Sequence, residues 1–426
     1  MVLRSQLKKK LPKEVAAGIR WLRDAQNVMF VILVFLTLRC FILESRLTRL
    51  TASSERIYNK VASLAESWPQ DERTQLYLDI LARDYMDDEY LATVTWKGHY
   101  LGWKSKWLGK GAHPNAIVSL APLMGVREGK GGQLIRTEEN LARLDLTHEN
   151  IGNAGAGALE EALRYQTGLK VLILSHNEIG PAGASALAGA LASSSIEEFW
   201  NTGNPIGSAG VVEIAHAIEI SQTLRMIDLG SNQMGAGGAR HLGSALAVNQ
   251  VITHVGLADN MIGDDGIMAI EEALKMNKSI KVLDLQGNQI EKIGAGGLAD
   301  ALKTNAVLEK LDISLNNIGD IGATALMNAL KMNSALKKLD IGSNHLTDSS
   351  TTAVAEMLRV NKALETLAMY DNTLTMVGGG RISEGLEQNE AIKVLNLRQT
   401  KIPAAIKKVL KQQAESKRFT IYFDHM

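Results

Sequence analysis

Carboxylate side chains recur at a fixed interval in the second half of this 426-residue chain. Asp284, Asp312 and Asp340 are 28 residues apart, and each lies between two aliphatic residues. On neighbouring strands about 4.8 Å apart, such carboxylates repel one another unless a cation or water screens them. The pattern predicts either a docking surface for a basic segment or a row of ordinary solvated strand residues. Because no further ligand converges on the carboxylates, it does not favour a metal site.

An aromatic residue and two histidines fall at related positions. Trp200, beside Phe199, is either an interface anchor or a cover for an irregular stretch of the fold. His148 and His176 follow adjacent predicted strands and could face each other, but two imidazoles alone make a weak metal site, so surface histidines are the favoured interpretation. The residues predicted to bind a partner on this surface are Trp200, Asp228, Asp284, Asp312 and Asp340.

Catalytic motifs are missing from the sequence. It has no Gly-x-Ser-x-Gly, no His-Glu-x-x-His and no complete phosphate-binding loop. The stretch at 125–132, GVREGKGG, is one residue too short for such a loop, and no Ser or Thr follows Lys130, which favours a glycine-rich linker. The single cysteine, Cys40, excludes a disulfide framework and a Cys-based zinc site. We predict a protein that is not an enzyme and that needs no cofactor.

A repeated sequence positions these side chains. From residue 141 the spacing Leu-x-x-Leu-x-Leu-x-x-Asn-x-Ile recurs about every 28 residues, in ten copies from Leu144 to Leu395. The Leu-x-Leu alternation predicts a short strand with one buried face, and the Asn is expected to bond backbone groups at the turn that follows. Glycines after the Asn, such as Gly263 and Gly266, predict a tight bend before a helix near 264–276.

A second asparagine series marks the helix ends. Its members are 28 residues apart: Asn249, Asn277, Asn305, Asn333, Asn361 and Asn389. We predict that each stops a helix in the left-handed conformation, which Asn tolerates nearly as well as Gly. Asn277-Lys278-Ser279 is also a glycosylation sequon, but its place in this series favours a chance match.

The pattern resembles the leucine-rich repeat family, specifically its ribonuclease-inhibitor-like class of 28-residue repeats. The resemblance implies an α/β solenoid, a horseshoe with parallel strands on the concave side and helices on the convex side, which binds proteins. It covers residues 141–418, which follow a segment at 1–43 and a helical, Trp-rich region at 44–140, and precede a cap strand at 419–426. Stacked copies of the repeat-motif Asn are expected to form an asparagine ladder along the solenoid. Three positions depart from the pattern: Glu149 and Thr400 replace this ladder Asn in the first and last repeats, and Asn201 replaces a strand Leu in the third.

Residues 1–43 combine basic and apolar character. Seven Lys or Arg precede residue 25, and a run at 28–43 has only Thr37, Arg39 and Cys40 among aliphatic and aromatic residues. We favour a single-pass or monotopic membrane anchor; a cleaved organelle-targeting segment and a buried packing helix are the alternatives. The residues predicted to contact the membrane are Phe30, Ile32, Leu33, Phe35 and Leu36.

Aromatic and basic residues alternate between residues 96 and 110. Half of the six tryptophans lie there, and a cap on the solenoid or a contact with a protein partner is favoured. The chain has 46 Lys and Arg against 46 Asp and Glu, which disfavours nucleic acid. The predicted interface residues are Trp96, Tyr100, Trp103 and Trp107.

Together these features predict a non-enzymatic, protein-binding scaffold or structural subunit of a membrane-associated assembly. The alternative is a GTPase-activating regulator, because Ran GTPase-activating proteins resemble this repeat class. Those proteins typically end in an acidic tail, whereas this chain has Lys417-Arg418 followed by a predicted strand. The single cysteine favours an intracellular setting, and the basic N-terminus makes a mitochondrion one of the compartments to consider.

Overall fold

The computed structural model describes residues 126–128, 134–136, 142–164 and 168–424. The predictions for the membrane segment at 1–43 and for the Trp-rich stretch at 96–110 lie outside these residues. The first described elements are β1 (Val126–Glu128) and β2 (Leu134–Arg136), which pair as an antiparallel hairpin. The glycine-rich stretch at 125–132, interpreted above as a linker, therefore contains a strand, and its glycines precede the second strand of a hairpin.

Strands and helices alternate without exception from residue 143 to residue 422. The strands are β3 (Arg143–Asp145), β4 (Val171–Ile173), β5 (Glu198–Trp200), β6 (Met226–Asp228), β7 (His254–Gly256), β8 (Val282–Asp284), β9 (Lys310–Asp312), β10 (Lys338–Asp340), β11 (Thr366–Ala368), β12 (Val394–Asn396) and β13 (Thr420–Tyr422). The helices are α1 (Gly152–Leu163), α2 (Pro181–Ser193), α3 (Gly207–Ile220), α4 (Gly235–Val248), α5 (Gly263–Met276), α6 (Lys292–Thr304), α7 (Gly319–Leu330), α8 (Thr351–Val360), α9 (Met376–Leu386) and α10 (Ala404–Lys417). Strands β3 to β13 form one parallel sheet in chain order, which confirms the predicted solenoid.

The core lies between the sheet and the helical layer. In the repeat that contains β8, Leu283, Leu285 and Ile290 are at most 1% exposed. The helix before it contributes Ile267, Ile270 and Leu274 from one face, each also at most 1% exposed. Since the other repeats supply apolar residues at the same positions, with Asn201 in the third repeat as an exception, the core is continuous along the solenoid and each repeat depends on its neighbours for burial.

The predicted asparagine ladder links each repeat to the next. Asn288 Nδ2 donates to the Leu257 carbonyl oxygen of the previous repeat at 2.8 Å. Its Oδ1 accepts the backbone N–H of Asn260 at 3.0 Å. The residue before each ladder Asn, and in most repeats the residue after it, adopts left-handed backbone, as Asp259 (φ 55°) and Met261 (φ 54°) do. The ladder Asn therefore satisfies backbone groups that this tight turn removes from the sheet.

The glycines after the ladder serve two different needs. Gly263 has a φ of 62°, a conformation that favours glycine. Gly266 has no room for a side chain, because a Cβ there would lie 2.5 Å from Cγ2 of Ile262. A positive φ and a close approach of neighbouring atoms were both predicted for these glycines. Gly180 differs, because its φ is −96° and Pro181 begins the helix after it.

The third repeat is one residue shorter and is built differently. Asn201, at a position where leucine is expected, is 1% exposed, and its Oδ1 accepts a hydrogen bond from Asn204 Nδ2 at 3.0 Å. In the regular repeats a ladder Oδ1 accepts backbone N–H groups from the preceding turn, but here the Ile206 N–H bonds to the Asn204 carbonyl oxygen instead. Asn232 Oδ1 is consequently buried without a hydrogen-bond partner among the described residues.

Members of the second asparagine series lie at helix ends as predicted, as Asn249, Asn277, Asn305 and Asn361 do, but the predicted left-handed conformation was wrong. Asn277 has φ −73° and ψ 135°, and Asn249 has φ −71° and ψ 125°, so both are extended and not left-handed. The series forms a second ladder: Asn277 Nδ2 donates to the carbonyl oxygens of Leu246 (2.8 Å) and Asn249 (2.6 Å). Its Oδ1 accepts the backbone N–H of Ile280 at 2.8 Å. Because Asn277 is 1% exposed, the sequon is hidden in the folded chain.

The last repeat is closed by a cap. Thr400, in place of a ladder Asn, donates its hydroxyl to the Leu397 carbonyl oxygen at 2.8 Å. Asp424 Oδ2 then accepts the backbone N–H of Gln399 at 2.7 Å. In the regular repeats the corresponding N–H donates to a backbone carbonyl oxygen of the next repeat, as that of Asp259 does to Gln286. Helix α10 and strand β13 cover the final repeat, and β13 lies within the segment at 419–426 where a cap strand was predicted.

Candidate functional site

The central residues of the ten repeat strands form one row across the sheet. They are paired in register, in the order Asp145, Ile173, Trp200, Asp228, Gly256, Asp284, Asp312, Asp340, Ala368 and Asn396. The sequence predicts these positions to be exposed, but the four aspartates from Asp228 to Asp340 are half-buried, and Ile173 and Ala368 are buried. Neighbouring strands lie close enough for side chains in the row to shield one another.

Each of these four aspartates also has a structural task. Its Oδ1 accepts the backbone N–H two residues later, from Gly230 (2.9 Å), Gln286 (3.0 Å), Ser314 (3.1 Å) or Gly342 (2.9 Å). The bond closes the end of the strand, which explains why Asp recurs there. Among the described residues, Oδ2 of the four accepts no hydrogen bond and remains available on the surface.

Burial and mutual repulsion change the proton affinity of the row. Burial, together with the nearby charge of Asp312, raises the pKa of Asp340 to about 7. Burial also raises the pKa of Asp284, again with a contribution from Asp312. Both pKa values are raised although a backbone N–H donates to each carboxylate, which shows that desolvation outweighs the hydrogen bond. A cation bound beside these carboxylates would favour their charged form and so lower both pKa values.

The row has neighbours that the sequence analysis missed. The side chain of Tyr370 reaches Ser314, two repeats away, and lies over Gly342, where a Cβ would come within 2.4 Å of its ring. Lys310 and Lys338 are exposed two residues before Asp312 and Asp340 on the same strands, so they face the same side of the sheet. The period-two alternation could have identified both lysines, whereas nothing local in the sequence indicates the reach of Tyr370.

Trp200 belongs to the same row as the aspartates. It lies between Ile173 and Asp228 in register, and its Nε1 donates to Glu198 Oε2 at 3.3 Å. The row is then interrupted at Gly256, where a Cβ would lie 3.0 Å from Cγ of Asp228. The structure therefore brings Trp200 next to Asp228 at one end and groups Asp284, Asp312 and Asp340 on adjacent strands at the other.

The two histidines stack as the sequence suggested. The rings of His148 and His176 are 4.6 Å apart between centroids and 11° from parallel. The stack ends at Gly203, where a Cβ would lie 2.3 Å from the His176 ring. Within the described residues, no group of three or more His, Cys, Asp or Glu side chains is arranged to hold a metal ion.

The comparisons with known proteins agree with this architecture. A family model described as Leucine Rich repeat matches residues 166–188, 248–270, 277–299, 304–327 and 333–355. These matches fall on the strand, turn and helix units described above. The chain is a leucine-rich repeat protein. No curated protein matches it significantly in sequence.

Two solved structures are similar to this chain at low sequence identity. An internalin from Listeria monocytogenes is 14% identical, with 72% of this chain and 86% of that chain covered and a TM-score of 0.44. A structure titled Leiomodin-1 Actin-Binding Site 2 is 17% identical, with 36% of this chain and 88% of that chain covered and a TM-score of 0.32.

In the described part of this leucine-rich repeat protein, no helix combines the length and apolarity needed to cross a bilayer.

Proposed function

We propose that the chain is a non-enzymatic scaffold that holds a basic segment of a protein partner on its concave surface. The observation that carries the proposal is the row of carboxylates in register, which presents an Oδ2 oxygen from each of three adjacent strands. Solenoids of this kind offer extended surfaces of this shape for binding. Trp200 adds an aromatic anchor at the other end of the row, a residue type enriched at binding hot spots.

The electrostatics favour a cationic occupant over a neutral one. The pKa values of Asp284 and Asp340 are raised because their charges are partly desolvated and close to Asp312. A lysine or arginine side chain placed among them would lower those pKa values and reduce the repulsion. Lys310 and Lys338 flank the row, so they restrict the direction from which a basic segment approaches.

We also propose that residues 1–43 attach this scaffold to a membrane. The support is the sequence itself, in which an amphipathic basic stretch is followed by an apolar run that includes Phe30, Leu33 and Leu36. A basic stretch attracts anionic headgroups, and an adjoining apolar run inserts below them. The partner held on the concave surface would then be a component of the same membrane-associated assembly.

Neutralising the carboxylate row should weaken the binding of a basic peptide. We expect the full chain to bind fluorescein-labelled octalysine, and Asp284→Asn, Asp312→Asn and Asp340→Asn together to weaken that binding roughly tenfold at low salt. Asn retains the Oδ1 atom that accepts the backbone hydrogen bond, so the change removes charge and keeps the strand end intact.

Because the pKa of Asp340 is about 7, binding of octalysine to the unmodified chain should strengthen from pH 6 to pH 8 as the carboxylate loses its proton. Fluorescence anisotropy measures both effects.

A matched control removes three acidic charges from the convex helices. Glu272→Gln, Asp300→Asn and Glu384→Gln change side chains that are 67%, 58% and 63% exposed. This control variant should bind octalysine as the unmodified chain does. Equal weakening by both triple variants would show that the peptide responds only to net charge, and the concave surface would lose its assigned role.

Deleting residues 1–43 should release the protein from membranes. In cells that express either form, the full chain should remain in the pellet after alkaline carbonate extraction, whereas the shortened chain should dissolve. Carbonate removes proteins held by charge alone, so retention reports insertion of the apolar run. If both forms dissolve to the same extent, the segment is a packing helix or a removed targeting sequence, and the anchor proposal fails.

A further inference from the structure

The C-terminal cap carries a concentration of positive charge that the neutral total conceals. Residues 398–418 contain seven Lys or Arg and a single acid, Glu415. The cations are Arg398, Lys401, Lys407, Lys408, Lys411, Lys417 and Arg418. They come from the turn after β12, from helix α10 and from the residue that ends that helix. We call this surface the basic cap.

The cations of the basic cap differ from those of the preceding repeats. Across residues 142–397, lysines and arginines pair with carboxylates in many places; Glu309, for instance, lies 3.8 Å from Lys281 and 2.7 Å from Lys337. Within the described residues, none of the seven cap cations forms an ion pair. Lys417 instead donates to the carbonyl oxygens of Glu387 (2.7 Å) and Asn389 (3.2 Å). The cap therefore presents uncompensated positive charge.

The aromatic rings of the cap are covered by its own cations. Arg398 lies 4.8 Å from the centroid of the Tyr422 ring. Lys407 and Lys411 lie 5.4 and 6.0 Å from the centroid of the Phe423 ring. Nucleic-acid bases bind single-strand surfaces by stacking on open aromatic faces. A cation already lies over each of these two rings, which leaves less ring surface for a base to stack on, so the geometry disfavours a single-stranded nucleic acid.

The composition of the basic cap also distinguishes an anionic surface from a specific protein partner. Five of its seven cations are lysines, a residue depleted at protein interfaces, and Lys401 and Lys408 are exposed. Lysine is a flexible point charge that suits a diffuse layer of headgroup charge. Val409 (43% exposed) and Tyr422 (40% exposed) lie among these cations and add apolar contact area.

We propose that the basic cap binds the anionic phospholipid surface of a bilayer. This gives the chain a second membrane contact, on residues separate from the proposed anchor at 1–43, and it stands on the cap residues alone. An inserted anchor and a charged surface on one chain reinforce each other because the anchor holds the charged surface at high local concentration beside the headgroups. In such an arrangement the C-terminal end of the solenoid, and not its concave surface, lies toward the lipid.

Lysine footprinting of the full chain locates this contact directly. The chain is treated with an acetylating reagent beside vesicles of phosphatidylcholine alone or of phosphatidylcholine with about 30% phosphatidylserine, and modified peptides are quantified by mass spectrometry. We expect acetylation of Lys401 and Lys408 to fall about threefold or more with phosphatidylserine, and to recover at high salt. Lys303, exposed at the end of α6, should be labelled equally in both.

Charge-neutral variants supply the second measurement. Lys401→Gln, Lys408→Gln and Arg418→Gln together change three exposed side chains that do not cover a ring, and they should weaken phosphatidylserine-dependent sedimentation roughly tenfold. The matched control, Lys278→Gln, Lys303→Gln and Lys362→Gln, removes the same charge from other exposed positions and should have no such effect.

Several outcomes would overturn the proposal. One is equal labelling of Lys401 and Lys408 with the two vesicle types; another is an equal loss of sedimentation in the cap and control variants. Protection by soluble polyglutamate or single-stranded DNA as strong as that by phosphatidylserine would reassign the cap to a protein or nucleic-acid partner. Failure of the anchor is a separate result: no sedimentation with phosphatidylcholine alone, while the phosphatidylserine-dependent protection persists.

Discussion

Replacing Asn288 with alanine is expected to lower the free energy of unfolding by about 3–5 kcal/mol. The side chain is fully buried and donates to the carbonyl oxygens of Leu257 (2.8 Å) and Gln286 (3.1 Å). It accepts the backbone N–H groups of Asn260 (3.0 Å) and Ile262 (3.4 Å). Alanine supplies none of these bonds, so several backbone groups would be buried without their partner.

Urea unfolding followed by circular dichroism measures the loss, and Asn317→Ala is its control. Asn317 is exposed beside the next ladder residue, Asn316, so its change should cost less than about 0.5 kcal/mol. In hydrogen exchange, the Asn288 variant should lose protection first at Asn260 and Ile262, because the solenoid is held together by contacts between neighbouring repeats. A variant as stable as the control would mean that the ladder does not stabilise the array.

The repetition explains why so much of the fold is predictable from sequence. Leu283 and Leu285 alone indicate a short strand with one buried face, and ten copies at one interval leave the leucine-rich repeat solenoid as the consistent interpretation. The ladder Asn was also interpreted correctly, since a turn that interrupts a sheet must satisfy its backbone groups somewhere. Features that every repeat shares are therefore visible in the sequence.

Features that belong to single repeats were harder to predict. Tyr370 reaches Ser314 across Gly342, a contact between residues 56 positions apart that no local pattern indicates. The orphaned Asn232 Oδ1 follows from the shorter third repeat, whose length is visible but whose effect on the turn is not. The uncompensated charge of the basic cap also becomes evident only when the ion pairs of the other repeats are known.

The row of aspartates could be predicted from the sequence, whereas its half-burial and its neighbours were not predicted. The central strand position predicts the row of aspartates, because side chains alternate between the two faces of a strand. The same rule places Lys310 and Lys338, which were not predicted, on that face. Half-burial of the row depends on the packing of adjacent strands, so the raised pKa of Asp340 required the structure.

The misread asparagine series yields the other large effect, at Asn277. A left-handed residue tolerates glycine well and loses stability when changed to alanine. In the structure Asn277 is extended (φ −73°, ψ 135°), and its side chain bonds to Leu246, Asn249 and Ile280. Both Asn277→Ala and Asn277→Gly should therefore destabilise the chain by about 3 kcal/mol, since both remove buried hydrogen bonds.

The relative stability of the glycine and alanine variants distinguishes an extended from a left-handed backbone at Asn277. Glycine gains more freedom than alanine in the unfolded chain, so at an extended position Asn277→Gly should be the less stable variant by about 0.5–1 kcal/mol. At a left-handed position the order reverses, because alanine there is strained and glycine is not. The urea concentrations at the midpoints of unfolding, compared for variants with equal m-values, give the order of stability of the two variants. A glycine variant more stable than the alanine variant would contradict the extended conformation of Asn277. The expected order would establish a second ladder of inter-repeat hydrogen bonds at the helix ends. Both ladders would then be built from asparagine side chains, the first at turns flanked by left-handed residues and the second at extended residues.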